Sequence, residues 1–344
     1  MSKPALICFH PSGKYLYSTD YEREQGHHLS LLQKKDGPKI IQIDYEFNNV
    51  SSVHPLYSSF PIQVYFMRDY ELLTENELFL KTQTENHYVK NNFSPLISKE
   101  DYLKNVDQLK ELIQLGHFYQ INYTIPFKAN LSGNALEIFH HYHPLIKGDY
   151  HALLPGDDYS IISFSPELFL KKEGPHLCTR PIKGTGKEAA GLINSVKESA
   201  ELSMIVDLLR NDLNAVSDLE KSRVTKHREL MELGHLIHTY SEIQSQSTLP
   251  ICEILKNILP GGSISGCPKK EACSVISKIE PYTRKAYTGI IGWIENDQAL
   301  LSIAIRTFIA TNKNELFYHS GGGIVYDSKA QDEYAELLLK ASRI

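Results

Sequence analysis

Lys183 lies in the run Thr179-Arg180-Pro181-Ile182-Lys183-Gly184-Thr185-Gly186. The two glycines leave room for a ligand to approach the backbone beside it. In dry or cationic surroundings its amine can shed a proton and act as a nucleophile. On its own such a lysine is more often a solvated loop residue, so its meaning depends on what surrounds it. Two pairs of carboxylates stand out next. Glu198 and Glu201 fall at i and i+3 in one helical run, and Glu333 and Glu336 do so in another. Residues at that spacing share a helix face. Two such faces turned toward each other would gather four carboxylates, which repel unless a cation lies between them. A set of oxygen donors alone suits a hard cation such as Mg²⁺.

Other groups could bind anions or move protons. Arg306 lies in the apolar run Ile303-Ala304-Ile305-Arg306-Thr307, expected to be strand, where a guanidinium calls for an anionic partner such as a carboxylate. Lys340 follows Glu336 by one helical turn and could pair with it or meet a substrate carboxylate. Glu167, in Ser165-Pro166-Glu167, becomes a general acid if burial raises its pKa. His238 can exchange a proton near neutral pH. Two glycine-rich runs, Pro260–Lys269 and Ser320–Val325, offer backbone amides at close range. The first lacks the Lys-Ser/Thr that completes a phosphate-binding P-loop, so ATP binding is disfavoured.

These residues must be held by a sizeable scaffold. The chain has 344 residues, 42% hydrophobic and 22% charged, with a net charge of −5. That composition is of a globular protein with ample core and gives no basic footprint for nucleic acid. Five cysteines without a C-x-x-C pair argue against a disulfide framework or a zinc site and make a cytoplasmic location the default. No apolar run suggests a signal peptide or a membrane span. Short β-branched runs dominate the first third. Helices are expected after Ser98, from Val196 to Leu213 with Met204, Ile205, Leu208 and Leu209 on one stripe, at Cys252–Ile258, at Lys269–Ile279 and at Asp332–Ser342. Single strands are expected over Leu230–Gln244 and Ala299–Thr311. Strands joined by short turns, with helices inserted irregularly, argue an α+β fold in a single domain over residues 1–344.

Taken in order, these segments resemble the chorismate-utilising enzymes. The matching stretches are Tyr119-Gln120-Ile121-Asn122, Ser165–Phe169, Thr179–Thr185, Glu201 through Asp212, Pro260–Lys269, Ile305-Arg306-Thr307, and Gly321–Asp327 with Glu333 and Glu336. The resemblance implies two packed, largely antiparallel β-sheets surrounded by helices, with the active site in the cleft between them. It implies Mg²⁺ held directly by Glu201 and Glu336, with Glu198 and Glu333 in support. Arg306, Tyr287, Lys340, Thr185 and the backbones of Gly184, Gly322 and Gly323 would hold the carboxylates of chorismate. Glu167 would protonate the departing 4-hydroxyl, and His238 matches a histidine of the family. Members that add water at ring carbon 2 have Lys where this chain has Gln120, and Gln120 cannot be a base. Anthranilate synthases have Pro-Ile-Ala-Gly-Thr where aminodeoxychorismate synthases have Pro-Ile-Lys-Gly-Thr. This chain has the second form, so the resemblance implies a covalent Lys183 adduct and ammonia from a separate glutamine amidotransferase. The region before about residue 95 is short for the family.

Overall fold

A computed structural model describes residues 3–48, 61–84, 89–90, 92–186, 188–193, 195–234 and 236–342; the side chain of Thr185 lies outside what it describes. Strand pairing is antiparallel throughout and continuous. From Gln120–Ser132 the ladder passes to Glu315–Val325, Thr307–Thr311, Tyr159–Ser165, Tyr150–Leu154 and Leu6–Phe9. It continues through Tyr15–Gly26, Ile62–Leu73, Lys39–Ile43, Ile290–Glu295 and Gln298–Ile303. It ends in Leu168–Glu173, His176–Arg180 and Leu236–Gln246, the last flanked by Ile182–Gly186 and Glu220–Leu233. The N-terminal strands thus sit in the middle of the ladder and join its two halves. The fold is mixed α and β around a large antiparallel sheet.

Several expected elements differ. Leu230–Gln244 is not one strand: it takes in the end of Glu220–Leu233, the turn at Gly234 with φ +65°, and most of Leu236–Gln246, the two arms of a hairpin. Ala299–Thr311 is two strands, Gln298–Ile303 and Thr307–Thr311. Arg306 stands in the break with φ +52°, a left-handed conformation that ends regular pairing. Lys183 lies in a strand, Ile182–Gly186, whose register shifts between Lys183 and Thr185. Gly184 has φ +70° there.

Helix starts follow their caps. The Ser98 side chain accepts from the Asp101 amide and opens Lys99–Gln114, whose buried face is Tyr102, Val106 and Leu109. Ser195 likewise caps Val196–Val216 through the Glu198 amide. The stripe that this long helix buries is Leu202, Ile205, Val206, Leu209 and Leu213; Met204 and Leu208 are only half-buried. With that stripe in the main core, Glu198 and Glu201 emerge at its edge, toward the Lys183 strand.

Candidate active site

Glu201 is the meeting point. Its Oε1 receives Lys183 Nζ at 3.2 Å and the Gln120 amide nitrogen at 2.9 Å. Lys183 comes from one end of the ladder and Gln120 from the other, and both are poorly exposed: the lysine side chain is 16% accessible and Gln120 is 2%. The strand Ile182–Gly186 presents Lys183 with the Thr239 hydroxyl donating to the Lys183 carbonyl. Gly184 is required at the next position. A Cβ there would sit 3.1 Å from both Glu198 Oε2 and Thr239 Oγ1, and the backbone is left-handed besides.

Glu167 stands beside this group. It follows the strand Tyr159–Ser165 and is 5% exposed. Ser263 Oγ donates to Glu167 Oε1 at 2.8 Å, and the Ser263 carbonyl lies 3.5 Å from Lys183 Nζ. Burial pushes the Glu167 carboxyl up to about 7, against the opposing pull of the Lys183 charge and the Ser263 hydrogen bond. The glycine-rich run Pro260–Lys269 therefore serves the site through the serine's hydroxyl and carbonyl. The side chain of Ser263, and not the backbone amides that a glycine-rich run offers, is what reaches Glu167. A small polar side chain between glycines was the signal available for Ser263.

His238 is buried, and burial together with the Arg306 charge lowers it to about 4, despite a hydrogen bond with the Gly184 backbone. It is a neutral imidazole at pH 7. Thr185 is placed by its backbone, opposite His238 in the pairing. Arg306 donates to the Lys147 carbonyl at 2.7 Å, and among the described residues it pairs with no carboxylate. An arginine half-buried without an anion is suited to an incoming carboxylate. Tyr287 is 6% exposed and stacks on His319 with centroids 5.1 Å apart.

The second carboxylate pair lies across the strand Glu315–Val325. The helix Ala330–Ser342 places Glu333 against it, accepting from Ser328 Oγ at 2.7 Å, while Glu336 pairs with Lys340 at 2.8 Å. Lys340 also donates to the Gly321 carbonyl at 3.0 Å. A Cβ on Gly322 would meet Glu333 Oε2 and Lys340 Nζ at 3.7 Å, and one on Gly323 would strike the Gln120 amide at 2.2 Å and Glu201 Oε1 at 3.0 Å. The glycine segment thus has one carboxylate helix on each flank. Among the described residues no three acidic, histidine or cysteine side chains converge closely enough to hold a metal ion. The donor set still fits a hard cation in kind: it is all oxygen, and Gln120 Oε1 is a buried acceptor without a partner right beside Glu201. No described helix is long and apolar enough to cross a membrane.

Comparison with known proteins shows the family and the fold. Residues 63–344 match the family model described as chorismate binding enzyme. Over 262 residues the chain is 36% identical to a Bacillus subtilis (strain 168) protein named aminodeoxychorismate synthase component 1, covering 72% of this chain and 56% of that one. A protein of the same name from Escherichia coli (strain K12) is 34% identical over 72% of this chain and 57% of its own length. Anthranilate synthase component 1 of Acinetobacter calcoaceticus is 29% identical over 73% of this chain and 54% of its own length. The chain thus spans little more than half the length of these relatives. Among solved structures, anthranilate synthase component I from Streptococcus pneumoniae TIGR4 superposes with a TM-score of 0.80 at 24% identity, covering 99% of this chain and 90% of that one, which establishes the shared fold. With the family model spanning most of its length, this chain belongs to the chorismate binding enzymes.

Proposed function

We propose that this chain aminates chorismate to 4-amino-4-deoxychorismate, as a component I that takes ammonia from a glutamine amidotransferase. The observation that carries the proposal is the position of Lys183. Its amine is mostly shielded from water, 3.2 Å from Glu201 and beside the buried Glu167. Relatives at 36% and 34% identity bear the corresponding name, while an anthranilate synthase component 1 matches at 29%. We take the site to lie in the cleft between the two halves of the ladder, since Glu201 touches a residue from each.

The chain's own groups suit the chemistry. Glu167, raised to about 7 by burial, is protonated in a sizeable fraction of molecules near neutral pH and in that form can deliver its proton to the departing 4-hydroxyl, which leaves as water. Lys183 first gives up the extra proton of its ammonium to solvent; the free amine then forms a bond to carbon 2 while the ring double bonds shift, and passes a second proton to the carboxylate that Glu167 has become. Ammonia then bonds to carbon 4, the double bonds shift back, and the carbon–Lys183 bond breaks with return of a proton to the amine. One water leaves for each ammonia taken up, and the lysine is regenerated. Gln120 has no basic nitrogen, so addition of water at carbon 2 lacks its base. Arg306, Tyr287, Lys340 and the backbones around Thr185, Gly184, Gly322 and Gly323 would hold the two carboxylates of chorismate, with neutral His238 as a hydrogen-bonding neighbour. Glu201 and Glu336, with Glu198 and Glu333 behind them, would hold Mg²⁺. When bound, that ion supplies a positive charge for a substrate carboxylate.

The test is incubation with chorismate, Mg²⁺ and an ammonium salt. Aminodeoxychorismate, detected as p-aminobenzoate after addition of its lyase, is the expected product. Anthranilate fluorescence as the main signal would instead make the chain an anthranilate synthase component. Chorismate binding without turnover would make it a non-catalytic subunit.

A further inference from the structure

Among the described residues Arg284 is the largest fully buried side chain, at 1% exposure, and nothing in the chemistry above uses it. A buried guanidinium is costly unless its donors are met, and here every one is directed. Nε and Nη2 grip Glu280 at 2.8 and 2.7 Å. Nη1 donates to the Ile264 carbonyl at 2.9 Å and Nη2 to the Asn122 carbonyl at 2.6 Å. Glu280 in turn accepts from the amide and hydroxyl of Thr124, each at 3.1 Å. From the other side, the Tyr45 ring lies 4.4 Å from the guanidinium, and Glu46 accepts from the Arg284 and Lys285 amides at 2.6 and 3.0 Å.

The two carbonyls that Arg284 holds are next to the reacting groups. Ile264 follows Ser263, whose hydroxyl sits on Glu167 and whose carbonyl faces Lys183. Asn122 lies two residues after Gln120, which holds Glu201. The same two segments are stitched together by the Asn122 amide donating to the Ser265 carbonyl at 2.9 Å and the Asn122 side chain to the Ile264 carbonyl at 3.1 Å. A planar fork can hold two carbonyls and a carboxylate at fixed angles; an ammonium cannot. We propose that Arg284 is a positioning residue: through the Ile264 carbonyl it fixes the loop that keeps Ser263 on Glu167, and through Tyr45 and Glu46 it gives the N-terminal region a hold on the site. The proposal rests on the reading that Glu167 is the acid of the reaction.

The test is the pH dependence of chorismate consumption, whatever the product, in the wild type, Ser263→Ala, Arg284→Lys and the double variant. Lys183 is the charged group that faces Glu167, and it is left intact in all four. Removing the serine's hydrogen bond takes stabilisation from the ionised carboxylate, so Ser263→Ala moves the alkaline limb upward by about one pH unit. Arg284→Lys is expected to move it in the same direction, and the double variant no further than Ser263→Ala alone. A limb unmoved in Arg284→Lys, or shifts that add in the double variant, would overturn the proposal. Should Arg284→Lys not fold, Tyr45→Leu replaces it, with a smaller shift that likewise vanishes when Ser263 is absent. An unexpected product refutes the aminating reaction and leaves this test intact. If there is no turnover, the infrared band of protonated Glu167, assigned with Glu167→Gln, is titrated in place of activity, with the same shifts expected.

Discussion

The two carboxylate helices carry the same E-x-x-E spacing and end up in different surroundings. On Val196–Val216, Glu201 is 18% exposed and held by a lysine and an amide that come from opposite ends of the sheet. On Ala330–Ser342, Glu336 is 55% exposed and its salt bridge is to Lys340 of its own helix, itself 45% exposed. The first glutamate is part of a preformed arrangement. The second sits at the rim, held by a contact that water and salt weaken. Equal spacing in a sequence therefore does not mean equal preorganisation, and the difference can be attacked experimentally.

The largest effect is expected at Lys183, the partner that only the inner glutamate has. Lys183→Ala should lower aminodeoxychorismate formation on the order of 10³-fold, measured with the coupled lyase assay; a rate near wild type would rule out the covalent route. Next comes the contrast between the glutamates themselves. Glu201→Gln and Glu336→Gln should each lose on the order of 10²-fold in turnover. Raised Mg²⁺ should recover much of the loss in Glu336→Gln and little of it in Glu201→Gln, whose carboxylate also orders Lys183 and Gln120. Identical magnesium titrations for the two variants would erase the distinction between inner and rim sites.

A pH profile probes the inner side further. Glu167 is raised to about 7 by burial, and the proposed mechanism needs its protonated form. The alkaline limb of activity per enzyme should therefore fall as pH rises through that value, about tenfold per unit. A flat profile from pH 6 to 9 would deny Glu167 the role of acid. The smallest effect belongs to the rim. Lys340→Ala removes an exposed pair and should change unfolding free energy by less than about 1 kcal/mol, as read by urea denaturation, though it also removes the Gly321 contact.

What the sequence made legible follows the physics of locality. The helices Lys269–Ile279 and Cys252–Ile258 were readable to within one residue because their apolar pattern and end signals are local. The hairpin strand Glu220–Leu233 was missed because it is polar on both faces and mostly exposed, so it has no alternation to detect. The break at Arg306 was missed because a left-handed backbone at a non-glycine residue has no local signature. Within the site, the glutamate pairs were visible through helical spacing. The Ser263–Glu167 and Gln120–Glu201 bonds join residues 96 and 81 positions apart, and no spacing rule reaches that far.

The continuous ladder has a thermodynamic consequence. Lys183 and Gln120 belong to strands near its opposite ends, and they meet only on Glu201. A molecule bound across that junction acts as a clasp, because fraying of either end must first release it. Ligand affinity is thereby converted into resistance of the entire sheet to unfolding, by an amount that grows with the logarithm of ligand concentration. Hydrogen exchange at the distant hairpin should slow when the junction is occupied.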